Sequence, residues 1–106
     1  MKAYFIGTFR DLYKDDLGWP QLPGMRVVGY YEDLETARKC IEENWCDLYE
    51  CGYYKYAVIE DIEPGLYQST ESNPIFFNWE GDEKTGGYKE IERPEILKST
   101  FGFTIG

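Results

Sequence analysis

The chain has 106 residues, enough for one modest hydrophobic core, and we predict a single α+β domain over residues 1–106. Its 20 acidic and 11 basic side chains give a net charge of −9. So few cations argue against an extended contact with the phosphates of DNA or RNA. Aromatic residues make up 18% of the chain, and they can serve either the core or a binding surface.

The hydropathy of the chain bears on where the protein resides. No apolar run has the length of a signal-peptide core or of a bilayer span. We therefore predict a cytoplasmic protein without membrane contact, located in the host cytosol if a phage encodes it. Cys40, Cys46 and Cys51 are odd in number, and we interpret them as free thiols.

The first quarter of the chain predicts a strand and a long loop. Residues 2–10 place apolar side chains on both faces, which favours a strand inside the sheet. Residues 11–25 show no period and contain two prolines and two glycines, so we predict an exposed loop without regular structure. Trp19 in this loop either folds back onto the core or belongs to a binding surface.

Residues 26–62 predict a strand, an amphipathic helix and a second strand, around which the other segments are organised. Asp33 suits the N-cap of the helix. Its apolar stripe consists of Leu34, Ala37, Ile41, Trp45 and Leu48. Asn44 can end the helix early and leave a separate turn over residues 47–50 before Gly52. Residues 53–62 form the strongest strand candidate, and we expect it to be central.

The remaining segments predict shorter strands. Residues 74–80 and 88–92 alternate in polarity around a hairpin loop over residues 81–87. Pro94 suits the start of a helical turn that ends at Leu97. Residues 66–67 and 101–105 are further strand candidates. Together these elements predict an α+β fold, with a mostly antiparallel sheet of about five strands and one main helix packed on one face.

The residue types argue against most catalytic chemistry. Histidine is absent, and three cysteines without a fourth soft ligand do not suit structural zinc. The glycines form no phosphate-binding or dinucleotide-binding pattern. We therefore predict a protein that is not an enzyme and that carries no cofactor and no metal. Acidic residues are abundant in the chain, and carboxylate pairs leave a small hydrolase open as an alternative.

Three runs carry a resemblance to a known group of proteins. They are NWCDLYE, YYKYAVIEDIEPGLY and the ending RPEILKSTFGFTIG. The chain resembles a family of small acidic proteins from anaerobic bacteria and their phages, a family without an assigned activity. The resemblance implies a mobile-element context, in which some short acidic proteins act against host defence. It transfers no residue roles.

These observations lead to one functional hypothesis and two alternatives. We expect a binding protein, acting as a phage or mobile-element inhibitor of a host defence system, that uses an acidic and aromatic surface against a basic protein partner. The first alternative is a homo-oligomeric sponge that sequesters a signalling nucleotide between aromatic rings, with Arg10, Lys14, Arg26 and Lys55 near the phosphates. The second is the hydrolase. The candidate binding residues are Trp19, Tyr30, Tyr31, Tyr53, Tyr54, Glu42, Glu43, Glu60 and Asp61.

Overall fold

A computed structural model describes residues 3–62 and 74–97. In chain order, the strands are β1 (Ala3–Phe9), β2 (Tyr13–Lys14), β3 (Pro20–Gln21), β4 (Arg26–Tyr31), β5 (Tyr56–Ile62), β6 (Ile75–Glu80) and β7 (Gly87–Ile91). Helix α1 (Leu34–Glu42) lies between β4 and β5, and short helical turns occupy Glu50–Gly52 and Glu95–Leu97. The predicted strands at residues 66–67 and 101–105 lie outside the described residues.

Among the described residues, the main sheet has five strands in the order β4-β1-β5-β6-β7, and all neighbouring strands are antiparallel. This arrangement, with one helix, confirms the predicted α+β fold. Both strands that were expected inside the sheet lie there, since β1 is flanked by β4 and β5, and β5 is the middle strand. The strand β5 begins at Tyr56 rather than at residue 53, because Tyr53 has helical backbone angles.

Helix α1 covers one face of the sheet, and its N-cap is the predicted one. The carboxylate of Asp33 accepts hydrogen bonds from the backbone N–H and the hydroxyl of Thr36, at 2.8 and 2.7 Å. These bonds lower the pKa of Asp33. The helix ends at Glu42, so Trp45 and Leu48 reach the same core from non-helical backbone.

Residues 11–25 cover part of the opposite face. Leu12, Leu22 and Met25 pack there on a second cluster of buried residues that includes Phe9 and Val58. The prediction of a loop without regular structure is wrong, because β2 and β3 pair as a small hairpin. Its turn is organised by one carboxylate: Asp15 accepts the N–H groups of Leu17 and Trp19, each at 2.9 Å.

Within the described ranges, 3–62 and 74–97, no helix combines the length and the apolar character that a membrane crossing requires.

Candidate functional site

The segment between α1 and β5 has unusual backbone geometry. Five of its residues that are not glycine have positive φ angles between 49° and 56°: Asn44, Cys46, Asp47, Glu50 and Cys51. The left-handed region costs an ordinary L-residue roughly 1–2 kcal/mol. Such residues persist where the surrounding structure fixes them, and they cluster at binding and switching sites.

Two buried anchors hold this left-handed segment, which we define as residues 44–52. Leu48 and Tyr49 are both buried in the core under α1. The ring of Tyr49 stacks on Trp79, with centroids 3.8 Å apart and planes within 6° of parallel. The side-chain oxygen of Asn44 accepts the N–H of Tyr49 at 2.9 Å. The backbone between these anchors is therefore fixed by packing and by side-chain hydrogen bonds.

The polar side chains of this segment continue an acidic surface. We use that name for six exposed carboxylates from the end of α1, the left-handed segment and the β6–β7 hairpin: Glu42, Glu43, Asp47, Glu50, Asp82 and Glu83. A Cβ atom placed on Gly52 would lie 2.8 Å from Oε1 of Glu83, so the hairpin contacts the segment directly. The acidic surface is thus assembled from pieces of chain that are about 40 residues apart.

Local electrostatics keep this surface negative. The backbone N–H and the hydroxyl of Thr85 lower the pKa of Asp82, which favours its charged form. The carboxylate of Asp47, with smaller effects from Glu83 and Glu50, raises the pKa of the exposed Cys51 thiol. A raised thiol pKa disfavours the reactive thiolate, so this environment does not activate Cys51 as a nucleophile.

A second group of residues lies next to the acidic surface, and we call it the Arg–Tyr platform. It consists of Arg10, Arg26, Tyr53 and Tyr54. The guanidinium of Arg26 lies 3.9 Å from the ring centroid of Tyr54, and that of Arg10 lies 5.3 Å from the centroid of Tyr53. The two tyrosine rings meet edge to face at 4.7 Å. Cation–π attraction orders all four side chains.

Arg26 joins the platform to its surroundings. Its Nε–H donates to the hydroxyl of the buried Thr8 at 2.9 Å, and its Nη2 lies 2.8 Å from Oε2 of Glu50. The ion pair therefore ties the left-handed segment to the first residue of β4. The platform is a charged and aromatic surface in which one of the two arginines is already neutralised by a carboxylate.

The structure distributes the predicted binding residues over several places. Glu42 and Glu43 belong to the acidic surface, and Tyr53 and Tyr54 belong to the platform. Trp19 is 60% exposed, so the alternative in which it folds back onto the core is wrong. It lies on the β2–β3 turn.

Four further predicted residues lie on the main sheet. Tyr30 is 59% exposed on β4, whereas Tyr31 is half-buried and packs against the core under α1. Glu60 is 1% exposed, so the expectation that it contributes to an acidic surface is wrong, and Asp61 beside it is half-buried. Glu60 lies two residues after Val58, on the sheet face where a second cluster of buried residues packs.

Sequence reasoning missed part of the acidic surface. Four residues were not among the candidates, although the turn over residues 47–50 and the hairpin over residues 81–87 were predicted: Asp47, Glu50, Asp82 and Glu83. The available signal was the acidic content of both loops. Their approach to each other depends on the contact between Gly52 and Glu83, which the sequence does not show.

Neither a metal site nor an enclosed cavity stands out in residues 3–62 and 74–97. No group of three or more Asp, Glu, Cys or His residues in residues 3–62 and 74–97 has the arrangement of a metal site. A shallow depression of about 500 Å³ borders the exposed face of α1. Its lining includes both Arg38 and Glu42, so side chains of both charges share it.

No protein-family model matches this chain, and neither do any curated proteins or solved structures. The function is therefore inferred from the chemistry of the two surfaces.

Proposed function

We propose that this is a non-enzymatic binding protein whose acidic surface engages a basic site on a partner protein. In the mobile-element setting, such a protein inhibits a component of a host defence system. The observation that carries the proposal is the fixed presentation of six exposed carboxylates on the end of α1, the strained left-handed segment and the adjoining hairpin.

The backbone strain supports a binding role. Solubility requires only that charges be exposed, and a flexible loop would provide that without left-handed residues. Here Asp47 and Glu50 lie on backbone that Leu48 and Tyr49 fix in an unfavourable conformation. A preorganised surface loses less conformational entropy on binding, which is an advantage for recognition but not for solubility.

The charge pattern indicates the kind of partner. A concentrated negative field repels phosphate groups and attracts Lys and Arg side chains, as a nucleic-acid mimic does. Tyr53, about half exposed beside this surface, supplies an aromatic anchor of the type that dominates binding energy at interfaces. The expected partner site is therefore basic, with room for one aromatic ring.

The test compares two variants of equal charge. One carries Glu42→Gln, Asp47→Asn and Glu83→Gln on the acidic surface. The control carries Asp16→Asn, Glu32→Gln and Glu35→Gln, which are also exposed but lie elsewhere. Proteins captured from host lysate by the unmodified chain are identified and then titrated against all three proteins.

We expect the acidic-surface variant to bind at least about tenfold more weakly, and the control variant to bind like the unmodified chain. Binding should also weaken as salt rises from about 50 to 500 mM, because surface charge interactions are screened. Equal affinities for the two variants would contradict the proposal.

The Arg–Tyr platform favours a second candidate function, the nucleotide sponge. Adenine or guanine rings stack on tyrosine, and guanidinium groups pair with phosphate, so the platform contains both required elements. Glu50 weakens this candidate, since its carboxylate already occupies Arg26 and would repel phosphate.

A thermal-shift screen with linear and cyclic nucleotides tests the sponge. A ligand that binds the folded chain raises the melting temperature, by several degrees at concentrations far above its Kd. Tyr53→Leu should abolish the shift, whereas Tyr13→Leu should preserve it, because Tyr13 is equally exposed but lies on β2. An identical shift in both variants would place the nucleotide elsewhere.

The hydrolase alternative gains no support from the described part of the chain. Its acidic residues lie on open surface or, as with Glu60, within the core, and the depression along α1 is shallow and of mixed charge.

A further inference from the structure

The indole of Trp79 contacts both loops of the acidic surface. Its ring stacks on that of Tyr49, in the left-handed segment, with centroids 3.8 Å apart and planes within 6° of parallel. Its Nε1–H donates to the backbone carbonyl oxygen of Asp82, in the β6–β7 hairpin, at 3.1 Å. A single uncharged side chain therefore joins two loops that are far apart in the sequence.

The sheet fixes the position of Trp79 itself. It is the last residue but one of β6 and lies opposite Tyr88 of β7. Its backbone N–H donates to the carbonyl oxygen of Lys55 at 2.8 Å, and its indole meets the ring of Tyr88 edge to face at 5.1 Å. Tyr88 is 1% exposed, and its hydroxyl donates to the carbonyl oxygen of Tyr54 at 2.6 Å. The indole is thus held by buried structure, and both loops pack against it.

The hydrogen bonds within each loop are local. In the hairpin, the carboxylate of Asp82 accepts the backbone N–H groups of Lys84 and Thr85 at 2.9 and 2.7 Å. In the left-handed segment, the side chain of Asn44 accepts the backbone N–H of Tyr49 at 2.9 Å. Such bonds fix the shape of one loop but not its distance from the other. That distance depends on contacts between the loops, and the indole provides a stack to one loop and a hydrogen bond to the other.

We propose that Trp79 is the positioning residue of the acidic surface. By holding Tyr49 and Asp82 at once, it keeps the carboxylates of the two loops at one separation, so that a partner meets them as a single site. A fixed arrangement lowers the conformational entropy lost on binding. This role in binding rests on the proposed function, whereas the coupling of the two loops is a property of the free chain. Because the indole has no charge, its loss changes the arrangement of the carboxylates and not their number.

Two substitutions separate the contacts of Trp79. Trp79→Phe keeps a ring that can stack on Tyr49 but removes the N–H donor to Asp82. Trp79→Leu removes both contacts. Phe76→Leu is the control, because Phe76 is a buried aromatic residue of the same strand that packs in the second cluster, on the opposite face of the sheet. It should lower the free energy of unfolding by a change that lies away from both loops.

Amide hydrogen exchange of the free chain tests the coupling. Rates are compared with those of the β5 amides, which report global unfolding. We expect Trp79→Leu to raise the relative exchange rate at least about tenfold in both loops, residues 44–52 and 81–86, because each loop loses its contact with the sheet. Trp79→Phe should raise this rate in the hairpin, where the amide of Gly86 donates to the same carbonyl of Asp82 at 2.9 Å, and leave residues 44–52 unchanged.

The control decides whether these effects are specific. Phe76→Leu should raise exchange throughout the chain, in proportion to its lower free energy of unfolding. The proposal is overturned if Trp79→Leu raises exchange in the loops no more than Phe76→Leu does. If Trp79→Leu does not fold, the selective effect of Trp79→Phe on the hairpin decides in its place.

Binding provides a second measurement, in which the variants are titrated against the partner protein that the unmodified chain captures. We expect Trp79→Leu to bind at least about tenfold more weakly, although all six carboxylates remain. Its affinity should also depend less on salt, because the two loops no longer engage the partner together. Phe76→Leu should match the unmodified chain in both respects, and equal affinities of Trp79→Leu and Phe76→Leu would contradict the binding role. If no partner is captured, the proposed function fails, while the exchange rates still decide whether Trp79 positions the loops.

Discussion

Replacing Arg26 with methionine should destabilise the fold far more than its surface position suggests. The guanidinium donates to the hydroxyl of buried Thr8, pairs with Glu50 and lies 3.9 Å above the ring of Tyr54. A hydrogen bond from a charged donor contributes about 1.5–3 kcal/mol, and a partly exposed cation–π contact about 0.5–1 kcal/mol. The half-exposed ion pair contributes about 0.5 kcal/mol or less after solvent screening.

These contributions predict a loss of about 3 kcal/mol for Arg26→Met, since methionine retains part of the packing. This loss of stability is measured by urea unfolding of dilute protein, monitored by tryptophan fluorescence. With a slope near 1.5 kcal/mol per M, the midpoint should fall by about 2 M urea. The left-handed segment should also exchange its amide hydrogens faster, because its tie to β4 is removed.

Arg38→Met is the matched control. Arg38 is similarly exposed and forms an ion pair of 2.7 Å with Glu90, but no buried hydroxyl in residues 3–62 or 74–97 accepts from it. Its loss should cost about 0.5 kcal/mol. If the two variants unfold within about 0.5 kcal/mol of each other, the buried hydrogen bond and the ring contact do not stabilise this fold as argued.

Three further predictions concern a cap, a turn and a buried phenol. Asp33→Ala should lower the urea midpoint at neutral pH because it removes the acceptor for Thr36. Asp33→Asn should lower the midpoint much less, because asparagine also serves as an N-cap. Because the pKa of Asp33 is lowered in the folded chain, its contribution to the free energy of unfolding is present above about pH 4 and is lost as pH falls. Gly86→Ala should cost roughly 2 kcal/mol or more, since its Cβ would collide with backbone carbonyl oxygens of its own turn. Burial raises the pKa of Tyr88 above the value of 10.0 that it has in the unfolded chain. The neutral phenol therefore contributes fully to the free energy of unfolding below about pH 10, and this contribution declines as pH rises further.

Each of these predictions has a specific control. An acid-dependent loss of stability in Asp33→Asn equal to that of the unmodified chain would contradict the assigned cap. Gly29→Ala should be neutral or slightly stabilising, because open space surrounds that position. Tyr88→Phe should flatten the alkaline decline between about pH 10 and 12, and an unchanged decline would show that other tyrosines control it.

The sequence by itself determined the element types and the class of the fold. Alternating polarity predicted strands, and the spacing of Leu34, Ala37 and Ile41 predicted the helix, because these periods reflect which side chains local backbone geometry places on one face. Asp33 was recognisable as a cap because capping involves only neighbouring residues. Apolar character on both faces also predicted that β1 and β5 lie inside the sheet.

Only the tertiary structure decided how the surfaces are assembled. The helix ends at Glu42, beside Asn44, whose left-handed φ of 52° fits the early end that the sequence offered. Where Trp45 and Leu48 then lie depends on packing, including the stack of Tyr49 on Trp79. Glu60 has the polarity of an exposed residue, yet it is buried on the face of β5 that it shares with Val58 and the second buried cluster. These outcomes depend on contacts between residues far apart in the chain, and such contacts leave no periodic signal in the sequence. The proposed binding surfaces are of this kind, since packing brings their charges and rings together.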